Sequence, residues 1–335
     1  MAVLVTGGAG YIGSHTVLEL VDSNISCIVV DNLSNAKLEA LARVERLTGK
    51  TIPFYRTDVA DKKALDKIFK AHTDITAVIH FAGCKAVVES LVDPIKYYYN
   101  NVATTITLLN SMKKAGVKEL VYSSTASVYK LDSPALDENS PIDAANPYGV
   151  SKAMAEKIII DFSTANSDFS TVLLRYFNAA GAHSSGQIGE DPTGYVHNLM
   201  PYITQVAVGA RPYLNIFGND YNTPDGTCVR DLMHVVDLAK AHIAALKALK
   251  DACGVKVYNL GSAKPVSVLE IVNTFMSVNN VKVPYSIAPR RNGDGASYYT
   301  ISDKAQNELG FKANLTLADI CRDHYKWQLA NPKGY

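Results

Sequence analysis

Val3-Leu-Val-Thr-Gly-Gly-Ala-Gly-Tyr-Ile-Gly13 is a short apolar strand running into a glycine turn and then into a helical pattern. It satisfies Gly8-x-Gly10-x-x-Gly13 and also the wider spacing Gly7-x-x-Gly10-x-x-Gly13. Glycines at these positions permit a tight turn and let the backbone approach a pyrophosphate, which then lies at a positive helix N-terminus. An acid follows where such a site needs one. Asp31 ends the second apolar run, about 20 residues beyond the glycines, as expected of a carboxylate that accepts from both ribose hydroxyls. The same carboxylate repels a 2′-phosphate, so the stretch points to NAD rather than NADP.

Working outward, Val3–Thr6, Cys27–Val30, Ala77–Phe81, Leu120–Ser123 and Thr171–Phe177 read as strands, and Val257–Gly261 as one more. Helical spacing occupies Gly13–Asp22, Asn35–Leu47, Lys63–Ala71, Val102–Ala115 and Pro147–Ala165. Strands that are near-continuous apolar runs, alternating with helices, predict a parallel sheet covered on both faces. The fold class is therefore α/β, a doubly wound, Rossmann-type parallel sheet. After Asn178 the loops lengthen and grow richer in glycine, proline and tyrosine, with helices expected at Val236–Leu249, Val268–Val278 and Leu317–Ala330. This predicts a dinucleotide-binding domain over 1–178, to which the chain returns around 228–262, and a smaller α/β substrate-binding domain over 179–335.

A second chemical signal lies at Asn146-Pro-Tyr148-Gly-Val-Ser-Lys152. Asparagine suits an N-cap and proline the first turn, so a helix starts here. Positions four apart share a face, which sets the Tyr148 phenol beside the Lys152 ammonium. A neighbouring cation is expected to lower the phenol's pKa from its usual value near 10 and make it a usable base. At strand ends, where ligands sit in such sheets, Phe81-Ala82-Gly83 gives backbone room beside a cofactor and Ser123-Ser124-Thr125 offers hydroxyls to a substrate. Asp58 and Val59, after a third short strand, are candidates for the adenine side.

Composition narrows the partners. The chain has 335 residues, 47% hydrophobic and 19% charged, with formal net charge +1. Near-neutral charge gives no reason to expect nucleic acid or an anionic membrane surface as partner. The five cysteines are scattered without metal or disulfide spacing, and no apolar run reaches spanning length, so the expected setting is cytoplasmic. No histidine pair has metal-ligand spacing, and no metal site is expected.

Glycine turn, Asp31, strand-end Ser-Ser-Thr and Tyr-x-x-x-Lys, in this order, resemble the extended short-chain dehydrogenase/reductase superfamily. Within it, residues 5–16, Asp-Asn-Leu-Ser-Asn (31–35), His-Phe-Ala-Gly-Cys-Lys-Ala-Val (80–87) and Leu-Arg-Tyr-Phe-Asn (174–178) resemble the UDP-glucose 4-epimerase family. So do Gly-Glu-Asp-Pro (189–192), Asn-Leu-Met-Pro (198–201), Ile-Phe-Gly-Asn-Asp-Tyr (216–221) and Asn-Pro-Lys-Gly-Tyr (331–335).

The resemblance implies an NAD-dependent isomerase that keeps its cofactor, acts on a UDP-hexose and works as a homodimer, with helices around Val102–Lys114 and Tyr148–Phe162 at the seam. It implies Tyr148 as base, Lys152 as its electrostatic partner and Thr125 as the hydroxyl touching the sugar. Cofactor contacts are implied at Gly7, Gly10, Tyr11, Ile12, Gly13, Asp31, Asn32, Leu33, Ser34, Asn35, Ala36, Asp58, Val59, Phe81, Ala82, Gly83, Cys84, Lys85, Asn100 and Phe177, besides Thr125, Tyr148 and Lys152. Substrate contacts are implied at Asn178, Asn198, Leu199, Asn215, Ile216, Phe217, Arg230, Arg291, Asp294 and Tyr298, with Thr125 and Tyr148. A bulky Tyr298 is expected to disfavour N-acetylated sugars. Val88, Lys130 and His197 depart from the family pattern around the substrate. A nucleotide-sugar dehydratase, a net dehydrogenase and a non-catalytic relative are the competing readings. The first needs an acid pair after Thr125, where this chain has Ala126-Ser127. The last is expected to have lost Tyr148, Lys152 or the glycines.

Overall fold

A computed structural model describes residues 1–130, 135–191, 198–249, 253–291 and 295–335; Asp294 and His197 thus lie outside the described residues. The strands that organise the molecule are β1 (Ala2–Thr6), β2 (Ser26–Asp31), β3 (Phe54–Arg56), β4 (Ile75–His80), β5 (Glu119–Thr125), β6 (Ala135–Leu136), β7 (Ser170–Tyr176), β8 (Asn178–Ala180), β9 (Leu214–Phe217), β10 (Val229–His234), β11 (Gly254–Leu260), β12 (Pro265–Ser267), β13 (Tyr285–Ala288) and β14 (Ser297–Thr300). The helices are α1 (Tyr11–Asp22), α2 (Glu39–Thr48), α3 (Lys62–Ala71), α4 (Val87–Val92), α5 (Pro94–Tyr98), α6 (Thr104–Ala115), α7 (Pro147–Ala165), α8 (Leu199–Ala207), α9 (Val235–Ala248), α10 (Val268–Asn279), α11 (Asp303–Leu309) and α12 (Leu317–Ala330).

The large sheet runs β11-β7-β5-β4-β1-β2-β3, and every pair in it is parallel. Successive side chains of a strand point to opposite faces. Val3 and Val5 accordingly enter the core under α1, α2 and α9. Ala2 and Leu4 enter the core on the other face, under α3, α6 and α7. Both faces are buried, which is why the strands read as unbroken apolar runs. The chain leaves β1 toward β2 and β3, then crosses back to β4 on β1's other side. That reversal opens a crevice at the carboxyl ends of β1 and β4, where ligands bind in open α/β sheets.

The remaining strands build a smaller sheet, β12-β10-β14-β6 with β8 also on β10, and a β9–β13 pair. Ile203, Ile216, Leu232, Ile271 and Phe275 form their core. The return of the chain falls at β11, which pairs β7 along its full length from Gly254↔Ser170 to Leu260↔Tyr176.

Several stretches differ from the sequence reading. Residues 35–38 are not helical and α2 begins at Glu39. A π-helical segment, Tyr99–Ala103, precedes α6 and joins it to α5, where the apolar spacing alone predicts a helix starting at Val102. Short helices α4 and α5 leave no clear period of their own, and the sequence reading contains neither.

Candidate active site

The glycine turn closes on itself and on the exit of β4. A Cβ on Gly13 would stand 2.2 Å from the Gly7 carbonyl oxygen. One on Gly7, at φ +71°, would stand 2.6 Å from the Ala82 nitrogen. Gly10 differs, because its Cβ would meet nothing nearer than the Gly7 oxygen at 3.3 Å. It faces outward at the head of α1, and no side chain among the described residues caps that helix there. An open backbone at an uncapped helix N-terminus fits a diphosphate.

Asp31 is buried at the end of β2. Its carboxylate accepts from Ala9 N at 3.1 Å and Leu33 N at 2.8 Å, which fixes it between the glycine turn and the following loop. Burial pushes its carboxyl up, and these two N–H bonds pull it down. Leu33 adopts φ 59°, a left-handed conformation uncommon for a side-chain-bearing residue and of the kind held at ligand sites. Asn32 donates to Asp58 at 3.0 Å and accepts from Ser34 N at 2.9 Å, so Asp58 joins the rim of the same loop. Asn35 is exposed on it. Val59 is buried in one of the sheet's cores, and Ile12 and Ala36, partly buried, pack against the other.

At the exit of β4, Phe81 N and Ala82 N both donate to the Thr6 oxygen (2.9 and 3.1 Å). Beyond them Asn101 accepts from Cys84 N (2.8 Å) and donates to Cys84 O (3.1 Å) and Ser151 Oγ (2.8 Å). Asn101 thus ties the Gly83–Cys84 backbone to α7. Asn100, the implied contact, turns its amide onto the Lys96 oxygen of its own helix at 2.8 Å. The π segment, by admitting an extra residue into the turn, sets which of the adjacent asparagines faces inward. Lys85 reaches Glu190 at 3.0 Å.

The start of α7 is placed as its sequence predicts. Asn146 Oδ1 accepts from Gly149 N at 2.9 Å and Pro147 occupies the first turn. A Cβ on Gly149 would lie 2.2 Å from the Ser127 oxygen, so the helix start presses directly on the turn that follows β5. That contact brings Tyr148 close enough to Thr125 for the threonine hydroxyl to act on the phenol's pKa. Lys152 donates its Nζ to the Ser123 oxygen at 2.8 Å and lies 4.8 Å from the Tyr122 ring centre.

The electrostatic expectation is corrected here. Burial raises the Tyr148 pKa, and the nearby Thr125 hydroxyl offsets only part of the rise. Burial also draws the Lys152 ammonium down to about 8, against Glu156 and Cys84. In this arrangement desolvation outweighs the cation. The buried ammonium has a consequence for stability. Its folded pKa of about 8 lies below the unfolded value of 10.5, so folding sheds a proton between these limits and stability rises with pH across them. Thermal midpoints of the ligand-free protein and of Lys152→Met, compared from pH 7 to 10, should drift in the parent's favour above pH 8. A constant difference contradicts this.

Across the crevice, β10 and β14 are in register at Arg230↔Tyr298. Tyr298 stacks near Phe177 (centroids 4.9 Å apart); burial raises its pKa, and the nearby Tyr148 adds to the rise. Arg230 donates to Val229 O and Gly295 O (2.8 and 3.0 Å), and the Arg291 guanidinium stands 4.8 Å from the Phe217 ring centre. Asn198 stands at the N-cap position of α8 without a side-chain cap bond, and Leu199 opens the helix. Asn215 accepts from Ser286 Oγ at 3.0 Å, and Asn178 is exposed on β8. Ile216 turns its side chain into the core, which leaves its backbone as the available contact.

Sequence reasoning missed Glu156, Arg175, Asn101 and the contacts of Glu190. Glu156 accepts from Arg175 at 2.6 Å with both side chains almost fully buried, and also from Ser124. Arg175 continues to Tyr129 (3.0 Å), which donates to Asn259 (2.6 Å). A charge inside the otherwise apolar strand Thr171–Phe177 was the available signal, because a buried arginine requires a partner.

A profile of the NAD dependent epimerase/dehydratase family matches residues 3–261, the span from the glycine turn to the end of β11. The chain belongs to this family. Among family members it is 52% identical to the UDP-glucose 4-epimerase of Dictyostelium discoideum over 99% of this chain and 97% of that one. It is 51% identical to the UDP-glucose 4-epimerase of Bacillus subtilis (strain 168), over 100% and 99%. The crystal structure of UDP-glucose 4-epimerase from Bifidobacterium longum in complex with NAD+ and UDP superposes with TM-score 0.96 at 46% identity, covering 100% of both chains. As an epimerase/dehydratase family member the chain places its Tyr-x-x-x-Lys pair and glycine turn on one sheet edge.

Proposed function

We propose that this chain interconverts UDP-galactose and UDP-glucose, with NAD retained across the glycine turn. The observation that supports it most is the meeting of Tyr148 and Thr125, at the end of β5, with Tyr298 and Arg230 of the smaller sheet. A redox base beside the cofactor crevice thereby faces arginines suited to a diphosphate.

NAD fits the crevice on the glycine and Asp31 evidence above, and when bound there it supplies the hydride acceptor and donor for carbon 4 of the hexose. Gly7, Gly10, Tyr11, Ile12 and Gly13 hold its diphosphate. Asp31 to Ala36, with Asp58 and Val59, hold the adenosine end. Phe81 to Lys85 and Phe177 border the remainder, with Asn101 holding the Gly83–Cys84 backbone in place. Tyr148 Oη takes the proton of the C4 hydroxyl, with Thr125 orienting that hydroxyl, and returns it after inversion. Lys152 steadies the negative charge on the phenol and bonds the nicotinamide ribose. Arg230 and Arg291, with Asn178, Asn198, Leu199, Asp294 and the Asn215–Phe217 strand, grip the UDP while the sugar turns, so Tyr148 can serve both faces. The large sheet, with its returning strand, acts as the dinucleotide-binding domain and the other residues from 179 onward as the sugar-nucleotide domain. Incubating purified protein with UDP-galactose and no added nucleotide should yield UDP-glucose; no conversion by protein shown to hold NAD overturns the reading.

Tyr298, packed on Phe177, limits the pocket on the hexose side. Tyr298→Ser should raise turnover of UDP-N-acetylglucosamine relative to UDP-glucose by on the order of 10-fold, the worth of relieving a few methylenes of crowding. An unchanged ratio places the selectivity elsewhere.

The protein acts as a homodimer in the cytoplasm. Leu91, Val92, Ile95 and Tyr99 on α4, α5 and the π segment are exposed, Val92 by 83% and Ile95 by 73%, and Ile106 and Met154 extend this apolar surface onto α6 and α7. Such a patch marks an interaction site. Sedimentation should give twice the chain mass, and Val92→Glu with Ile95→Glu should halve it. No helix among the described residues is long and apolar enough to cross a membrane.

A further inference from the structure

Glu190 lies where the two ligand sites touch, and the mechanism above does not use it. Its side chain is 4% exposed. One oxygen, Oε1, accepts from Lys85 Nζ at 3.0 Å and from Asn198 Nδ2 at 2.7 Å. Lys85 follows the β4 exit, on the cofactor side, and its Nζ lies 5.8 Å from the Tyr11 ring centre. Asn198 stands at the N-terminal end of α8, on the sugar-nucleotide side. The other oxygen, Oε2, is buried with no hydrogen-bond partner among the described residues. Leaving a carboxylate oxygen buried and unbonded is costly, so this carboxylate is not placed here for stability.

The backbone beneath it is fixed. Gly189 lies flat against Trp327, where a Cβ would come within 2.4 Å of the indole Cγ. Trp327 Nε1 donates to the backbone carbonyl oxygen of Glu190 at 3.1 Å. Asp191 pairs with Lys37 at 2.7 Å, just past the loop that follows Asp31. A carboxylate on so rigid a base cannot follow one partner without straining its bond to the other.

We propose that Glu190 is a positioning residue that couples the two sites: it holds Lys85 and Asn198 in one charge-assisted bridge, so that occupancy of the sugar-nucleotide site tightens the grip on NAD. The inference rests on the assignment of Lys85 to the cofactor and Asn198 to the UDP-sugar. By linkage such a coupling is reciprocal, and a factor of roughly 5 to 150 is usual. It suits a reaction whose cofactor must not leave while an oxidised sugar is held.

The test uses the holoprotein and UDP alone. NAD loss on repeated dilution and filtration is followed with and without saturating UDP. The parent should lose NAD on the order of 10-fold more slowly with UDP, in line with that range. Glu190→Gln keeps the shape and one acceptor but removes the charge that holds Lys85, and should bring the UDP effect within about 2-fold. Lys85→Met, at a half-exposed side chain that the fold does not need, should do the same, and the double variant should add nothing further, as for two members of one bridge. A purely structural role for Glu190 would weaken NAD retention equally with and without UDP. That result, a parent indifferent to UDP, or a UDP effect surviving in either variant overturns the coupling. A parent that retains no NAD and binds no UDP removes the functional reading as well, so the two failures are told apart.

Discussion

Tyr148→Phe is expected to lower kcat by on the order of 10³-fold while leaving NAD bound. The phenol is the proton acceptor that the geometry offers at the C4 position: it is buried, near Thr125, and held by a helix start pressed on the β5 turn. Loss of a positioned general base typically costs 10²- to 10⁴-fold. Phenylalanine keeps the ring that packs edge-on to Tyr97 at a centroid distance of 6.3 Å, so fold and cofactor retention should survive. The burial-raised pKa adds a sign. Less phenolate is present at neutral pH, so the parent's kcat should climb with pH wherever this proton limits the rate. Single-turnover kinetics and the absorbance of bound NAD separate the two effects. Activity within 10-fold of the parent would assign the base to another group.

Arg175→Met should destabilise the protein by about 3–5 kcal/mol, the usual cost of stripping one partner from a buried ion pair. Glu156 would retain Ser124 and lose its bonds to Arg175, at 2.6 to 3.2 Å, leaving a carboxylate buried next to the Tyr148–Lys152 face of α7. Tyr129 would lose a donor as well. Glu156→Gln should cost less, and adding Glu156→Leu to Arg175→Met should recover much of the loss, because an apolar pair often replaces a buried salt bridge without penalty. Urea midpoints at constant m-value measure this. A change below about 1 kcal/mol for Arg175→Met would mean that the network is not a structural anchor of α7.

The sheet and the cofactor half of the site are legible in the sequence for a physical reason. They rest on local rules: apolar runs buried on both faces, glycines where a Cβ cannot fit, an asparagine that caps α7. Gly13 and Asn146 each show their reason within a few residues of themselves. What was not legible depends on distant partners. The direction of the Tyr148 and Lys152 shifts is set by burial that no i, i+4 pattern reveals. The choice between Asn100 and Asn101 depends on a π segment that leaves no period. Glu156 shares the Tyr148–Lys152 face by spacing, yet its meaning waits on Arg175, 19 residues away on another strand. Glu190 joins residues from positions 85 and 198, which nothing local connects.

The central claim is that carbon 4 loses and regains the same hydride within one closed site, with Tyr148 handling only the proton. Supplying UDP-galactose deuterated at carbon 4, in ordinary water and with no added nucleotide, tests this most directly. The account predicts UDP-glucose that still carries the deuterium at carbon 4. UDP-glucose with hydrogen from solvent at that carbon would contradict it.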